Sequence, residues 1–133
     1  MTVYLSADEV RDFNSRLTGT LNALRDFGLL DGAVMRPQAS AFGQDAFPTL
    51  HEKAAALLHS LVRNHPFMDG NKRTAWVAVA TFYLLNGYQV ARADQGDIVS
   101  LVVDAAEGQV DVATIAATLK SWVVEFDLLP DDQ

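Results

Sequence analysis

His65-Pro66-Phe67-Met68-Asp69-Gly70-Asn71-Lys72-Arg73-Thr74 puts an imidazole, a carboxylate, a glycine, an amide and two adjacent cations into one short turn. The flanking residues say what that turn joins. Upstream, Leu50, Ala54, Leu57, Leu58 and Leu61 recur at the spacing of one helix face, and Thr49 with Glu52 forms a T-x-x-E capping box at its start. Pro66 cannot extend that helix, because it has no N–H and biases His65 toward an extended backbone. Downstream, Ala75 to Leu85 is apolar nearly all the way round until Asn86-Gly87 supplies a stop, so a buried helix begins at about Asn71. The stretch is therefore a helix–loop–helix joint. Its second helix directs unsatisfied N–H groups and a positive dipole end into the loop, which is an anion site by construction.

The residue types suit a nucleotide. Gly70 lets the backbone approach a phosphate without a Cβ in the way, while the N–H groups from Asn71 onward donate to its oxygens. Arg73 offers a planar fork and Lys72 a mobile point charge, enough together to neutralise a polyphosphate. Asp69 is a single carboxylate, which suits a magnesium ion that keeps most of its waters and takes further ligands from the nucleotide. His65, with an unperturbed pKa near ~6.5, is the residue here best able to accept a proton from an attacking hydroxyl at neutral pH. The Asn71 amide would hold either the loop or a phosphate. Taken singly, His-Pro-Phe is a helix stop with a packed aromatic, Asp-Gly-Asn a turn and Lys72-Arg73 solvated charge; it is their coincidence at this spacing that points to a site.

The run His65 to Arg73 resembles the signature of the Fic/Doc proteins, specifically the death-on-curing (Doc) toxin branch. The Val3-Tyr4-Leu5-Ser6 opening, the Leu30 to Pro37 segment, Phe42-Gly43 and the Leu50 to Asn64 helix resemble that branch as well, so the likeness covers nearly the whole chain. Adenylylating Fic relatives carry glycine where this chain has Lys72, and a second arginine where it has Trp76. The resemblance thus implies the Doc chemistry, in which the nucleotide binds in the reversed direction and the γ-phosphoryl group is transferred. It implies a toxin of a type II toxin–antitoxin system, a protein kinase that modifies a threonine of elongation factor Tu and arrests translation. In that picture His65 is the base, Asp69 holds Mg2+, Gly70, Asn71, Lys72 and Arg73 bind the nucleotide, and ATP is the co-substrate. An antitoxin of the Phd type, with a disordered tail that folds on the toxin, is the implied partner. The S/T-x-x-x-E/G-N pattern of self-inhibited Fic proteins is absent, so control falls to a partner or to abundance. An adenylyltransferase and a non-catalytic phosphate- or nucleotide-binding module are the alternative readings.

Elsewhere the chain reads as helices joined by short turns. Ser6 with Glu9 makes a second capping box, Leu5 can staple onto Val10, and the helix continues through Phe13 and Leu17. Leu21, Leu24 and Phe27 suggest another before Gly28. Asp94 precedes a helix with the face Ile98, Leu101, Val102 and Ala105, ended by Gly108, and Asp111 caps a last one in which Ile115, Leu119, Trp122, Val123 and Phe126 keep helical spacing. No useful period-2 alternation appears. The expected fold is all-α, a compact bundle of about six helices in a single domain over 1–133, with a short flap loop or hairpin at Gln38 to Pro48. In Fic relatives the equivalent flap borders the active site and pairs with an extended substrate segment; carried over, Ala39 to Phe47 would dock the target, whereas an ordinary loop would only cover the core with Phe42 and Phe47. His51 and His59, eight positions apart, match no zinc-helix spacing and read as helix-surface or supporting residues; Trp76 and Trp122 read as core.

Composition agrees. With 133 residues, half of them hydrophobic, the chain has material for one proper core. It has no cysteine, hence no disulfide framework. No basic and apolar leader is evident, and the longest apolar run is about half of the ~20 residues that span a bilayer, so a cytoplasmic protein with no membrane contact is expected. A formal net charge of −7 excludes a broad nucleic-acid footprint and weighs against a nuclease.

Overall fold

Leu50–Asn64, the segment with the densest apolar pattern, becomes the helix around which the others are laid. In the computed structural model, which describes residues 1–126, the order is α1 (Ala7–Thr18), α2 (Phe27–Met35), a 3-10 turn (Arg36–Gln38), β1 (Ser40–Ala41), β2 (Gln44–Asp45), α3 (Leu50–Asn64), α4 (Asn71–Leu85), β3 (Tyr88–Val90), α5 (Gln95–Ala106), α6 (Val112–Trp122) and β4 (Val123–Glu125). The last seven residues of the expected 1–133 domain lie outside the described ones. Nine residues of α3 are buried, among them Ala54, Ala55 and Ala56, whose small side chains let α2, α4, α5 and α6 close in on it. Leu58 and Leu61 are 0% and 1% exposed, so truncating either to alanine costs about 2–5 kcal/mol. No described helix is long and apolar enough to cross a membrane.

The starts of α1, α3, α5 and α6 fall where the sequence places them. Glu9 and Ser6 exchange backbone and side-chain hydrogen bonds at the head of α1, as do Glu52 and Thr49 at α3, and Asp97 and Asp94 at α5. Asp111 Oδ1 accepts from Thr114 N at 2.8 Å at the head of α6. Leu5 and Val10 are both buried, as the staple requires.

Three expectations are corrected. The apolar spacing of Leu21, Leu24 and Phe27 does not make a helix before Gly28: α2 begins at Phe27, capped by Asp26 through Leu29 N at 3.0 Å. Residues 23–26 give their backbone groups to the 65–68 segment instead. Met68 N donates to Ala23 O at 2.7 Å, Arg25 N to Pro66 O at 2.8 Å, and Leu24 bridges Phe67. The last helix does not reach Phe126. It ends at Trp122, whose carbonyl accepts from Ala91 N and Arg92 N, both at 2.9 Å, and Val123 continues extended into an antiparallel ribbon with β3. Val123 stays buried as a strand residue, which is why its spacing looks helical. Strands are therefore present, although the fold remains mostly α. Finally, α4 is not buried all round: Leu84 and Leu85 in its last turn are 51% and 45% exposed.

The 38–48 stretch is a short hairpin. Ser40 pairs with Asp45 and Ala41 with Gln44, and both turn residues, Phe42 and Gly43, have positive φ (54° and 78°). Its base is tied to the start of α3 by the buried Lys53, whose Nζ bonds Asp45 Oδ2 at 3.2 Å and also the Phe47 carbonyl.

Candidate active site

The motif loop hangs between the C-terminus of α3 and the N-terminus of α4, and each end is held by a different neighbour. His65 is the C-cap of α3, in the left-handed region at φ 49°, ψ 58°, and not extended as Pro66 alone would dictate. The preference imposed by proline is overridden because the carbonyls of Asn64, His65 and Pro66 all find donors on the 25–26 segment: the Arg25 guanidinium takes the first two, and the N–H groups of Arg25 and Asp26 the third. Asn71 then closes the loop on itself. Its Oδ1 accepts from Phe67 N at 3.0 Å and its Nδ2 donates to Phe67 O at 2.7 Å. That amide therefore holds the loop.

At the other end, α1 supports Gly70. Asn14, 2% exposed, donates from Nδ2 to Asp69 O at 2.9 Å and to Thr74 Oγ1 at 3.1 Å. Gly70 has φ 76°, and a Cβ there would meet Thr18 Cγ2 at 2.9 Å and Asn14 Nδ2 at 3.2 Å. The glycine is thus required by the packing of α1 against the loop, a different reason from the phosphate approach that the sequence suggests. Gly70 is also the N-cap of α4 and supplies no side-chain cap, so the first-turn N–H groups have no intrahelical acceptor and no capping side chain.

Around that helix start stand the expected residues. His65, Asp69, Lys72 and Arg73 are exposed and Asn71 is half-buried. His65 Nδ1 and Asn71 Nδ2 are brought to 3.4 Å, longer than a well-formed hydrogen bond. Asp69 presents one carboxylate, and no group of three or more His, Asp or Glu that could hold a metal occurs among the described residues. Lys72 and Arg73 also edge an apolar groove of about 390 Å3 between α1, α4 and α5, lined by Leu17, Trp76, Val77, Ile98, Val99, Val102 and others. Trp76 packs edge-on against Trp122 with ring centroids 6.3 Å apart, half-buried against the core as expected.

The hairpin is not joined to this loop by any hydrogen bond among the described residues. Its anchor, Lys53, precedes His65 by twelve residues on the same helix, about 18 Å at ~1.5 Å rise per residue. The remaining histidines serve packing. His51 Nδ1 lies 3.0 Å from Tyr83 Oη, and burial, then Lys120, lowers its pKa; burial, then Tyr88, raises that of Tyr83. His59 Nδ1 lies 2.8 Å from Arg36 Nη1, so it is the acceptor, and burial followed by Arg36 and Arg63 lowers its pKa against an opposing pull from Asp111.

Sequence reasoning missed Asn14 and Arg25. For Asn14 a signal exists, an amide four residues after Val10 on the buried face of an amphipathic helix. For Arg25 none does, since its partners are backbone carbonyls 39 and 40 residues away.

Comparison with known proteins bears on the same segments. The sequence profile described as the Fic/DOC family matches residues 4–83, which takes in α1, the Arg25 turn, α3, the loop and nearly all of α4. The chain is 48% identical over 123 residues to the protein named Toxin Doc of Mycolicibacterium smegmatis, covering 92% of this chain and 95% of that one. It is 32% identical over 120 residues to Protein kinase doc of Escherichia phage P1, covering 88% and 93%.

Proposed function

The chain belongs to the Fic/DOC family, on its Doc toxin branch, and from that premise we propose that it is a protein kinase toxin that moves the γ-phosphoryl group of ATP to a threonine of elongation factor Tu. The observation that carries this reading is the start of α4. Uncapped N–H groups, Lys72 and Arg73 converge there beside Asp69 and His65, while the position of a second arginine is taken by Trp76, packed on Trp122. A γ-phosphate partner for the adenylylating pose is therefore missing from that turn.

The residues then divide the work. The threonine Oγ attacks the γ-phosphorus, its proton passes to the His65 imidazole, and the bond to the β–γ bridging oxygen breaks to release ADP. Lys72, Arg73 and the helix N-terminus hold the phosphates and offset the charge that builds on them. A lone exposed Asp69 fits magnesium, which prefers one or two carboxylates plus substrate phosphates over a cage of protein ligands. Asp69 would hold the ion, which when bound would supply positive charge to offset that of the phosphates. Asn71, bonded to Phe67 through Oδ1 and one Nδ2 hydrogen, keeps the loop in shape and has a second Nδ2 hydrogen to offer a phosphate.

The partner reading concerns the apolar groove between α1, α4 and α5. A Phd-type antitoxin would lay the apolar face of a segment folded on binding into it, with acidic side chains toward Lys72 and Arg73. The test of the function uses purified protein with elongation factor Tu and ATP labelled at either the γ- or the α-phosphate. Transfer of γ-label alone, lost in His65→Ala, is expected; α-label on the protein means adenylylation. If induction arrests growth equally in wild type and His65→Ala, a binding module replaces the enzyme.

A further inference from the structure

A histidine that leaves a helix through a left-handed turn must be held there. His65 sits at φ 49°, ψ 58°, a region that a residue other than glycine keeps only where its surroundings over-determine it. The imidazole does not provide the hold, since its contact with Asn71 is 3.4 Å long. The carbonyl does. Arg25 Nε donates to His65 O at 2.8 Å, and Nη2 donates to the same oxygen and to Asn64 O at 3.0 Å. The planar fork closes over two carbonyls that the end of α3 leaves without intrahelical donors. Arg25 is itself fixed, because its N–H donates to Pro66 O at 2.8 Å and its neighbour Leu24 bridges Phe67.

We propose that Arg25 is a positioning residue for His65. By fixing the peptide that follows His65, the guanidinium sets the direction in which the imidazole leaves the loop, and so where its free nitrogen meets the acceptor hydroxyl. Arg25 touches no reacting atom in this scheme. The inference rests on the reading of His65 as the base and names the residue that orients it. Lysine can serve one carbonyl at a time without the fork, so Arg25→Lys retains part of the effect.

The test compares wild type, Arg25→Ala, Arg25→Lys and Asp26→Ala, the last removing only the α2 cap next door. Arg25→Ala lowers kcat for phosphoryl transfer by about 10- to 100-fold, the scale of a base displaced by about 1 Å. KM for ATP stays within about twofold, since the phosphate-binding groups are untouched. Arg25→Lys falls between, and Asp26→Ala keeps the wild-type kcat. Independently of any reaction, the NMR order parameter of the His65 ring drops in Arg25→Ala and not in Asp26→Ala. If wild type transfers no phosphoryl group, the kinase reading fails and the ring signal alone decides Arg25. A ring signal in Arg25→Ala that matches wild type, or a kcat that does not fall, overturns the proposal; should Arg25→Ala not fold, the same two readouts on Arg25→Lys decide it.

Discussion

Replacing Gly70 by alanine pushes a methyl into space that α1 already fills. At φ 76° the backbone is left-handed, which costs an alanine roughly 1–2 kcal/mol relative to glycine. The new Cβ would also lie 2.9 Å from Thr18 Cγ2 and 3.2 Å from Asn14 Nδ2, an overpacking worth about 1–3 kcal/mol. The sum is about 2–5 kcal/mol; with an unfolding entropy of ~2.1 cal/mol/K per residue over 133 residues, Tm falls by about 7–18 °C. Thr18→Ser removes the offending methyl while keeping an oxygen to donate to Asn14 O, as Thr18 Oγ1 does at 2.9 Å. The double variant should therefore recover the packing part and retain the backbone part, a coupling of about 1–2 kcal/mol in a double-mutant cycle. Thermal and urea denaturation of the four proteins measures it. A coupling below about 0.5 kcal/mol, the range of independent sites, refutes the claim that α1 dictates the glycine. So does an unchanged Tm in Gly70→Ala with ATP binding lost, which would return the glycine to the phosphate.

Asn14→Ala leaves Asp69 O and Thr74 Oγ1 without their donor in a buried setting, and should lower unfolding free energy in urea by about 1–3 kcal/mol. Acid should weaken the fold in two stages. His51 and His59 have pKa values lowered in the folded state, so the unfolded chain takes up protons first, and their contribution is complete above about pH 6.5 and is lost as pH falls below it. Asp111, lowered chiefly by its hydrogen bond from Thr114, contributes above the ordinary Asp value of about 3.9 and is lost as pH falls through its own folded value. A His51→Gln/His59→Gln variant should flatten the urea midpoint between about pH 5 and 7 while keeping the lower stage; equal slopes in both proteins would contradict this. Lys53→Met should free the hairpin base, so chymotrypsin cleaves after Phe42 sooner than in wild type; an unchanged cleavage rate would show that Lys53 does not hold the flap.

Local rules made most of the fold legible. The capping boxes at Ser6, Thr49 and Asp94 name helix starts because the donors they satisfy are within one turn, and the motif is readable as a joint because Pro66 and Gly70 act on their own backbone. What failed depended on partners far along the chain. The spacing of Leu21, Leu24 and Phe27 is as periodic as a helix, yet the backbone there is claimed by Pro66 and Met68. Val123 faces the core whether helical or extended, so spacing alone could not mark the change at Trp122. In the same way His65, Asp69, Lys72 and Arg73 are visible as chemistry and Asn14 is marked only as an amide on a buried helix face, whereas Arg25 acts through main-chain oxygens that have no sequence signature.

The most direct measurement is the intact mass of elongation factor Tu after incubation with this protein, ATP and magnesium, with His65→Ala in parallel. A gain of one phosphoryl group, absent with the variant, is the predicted result. A gain of an adenylyl group would contradict the reading of Lys72 and Trp76, and no gain would contradict the assignment of this target.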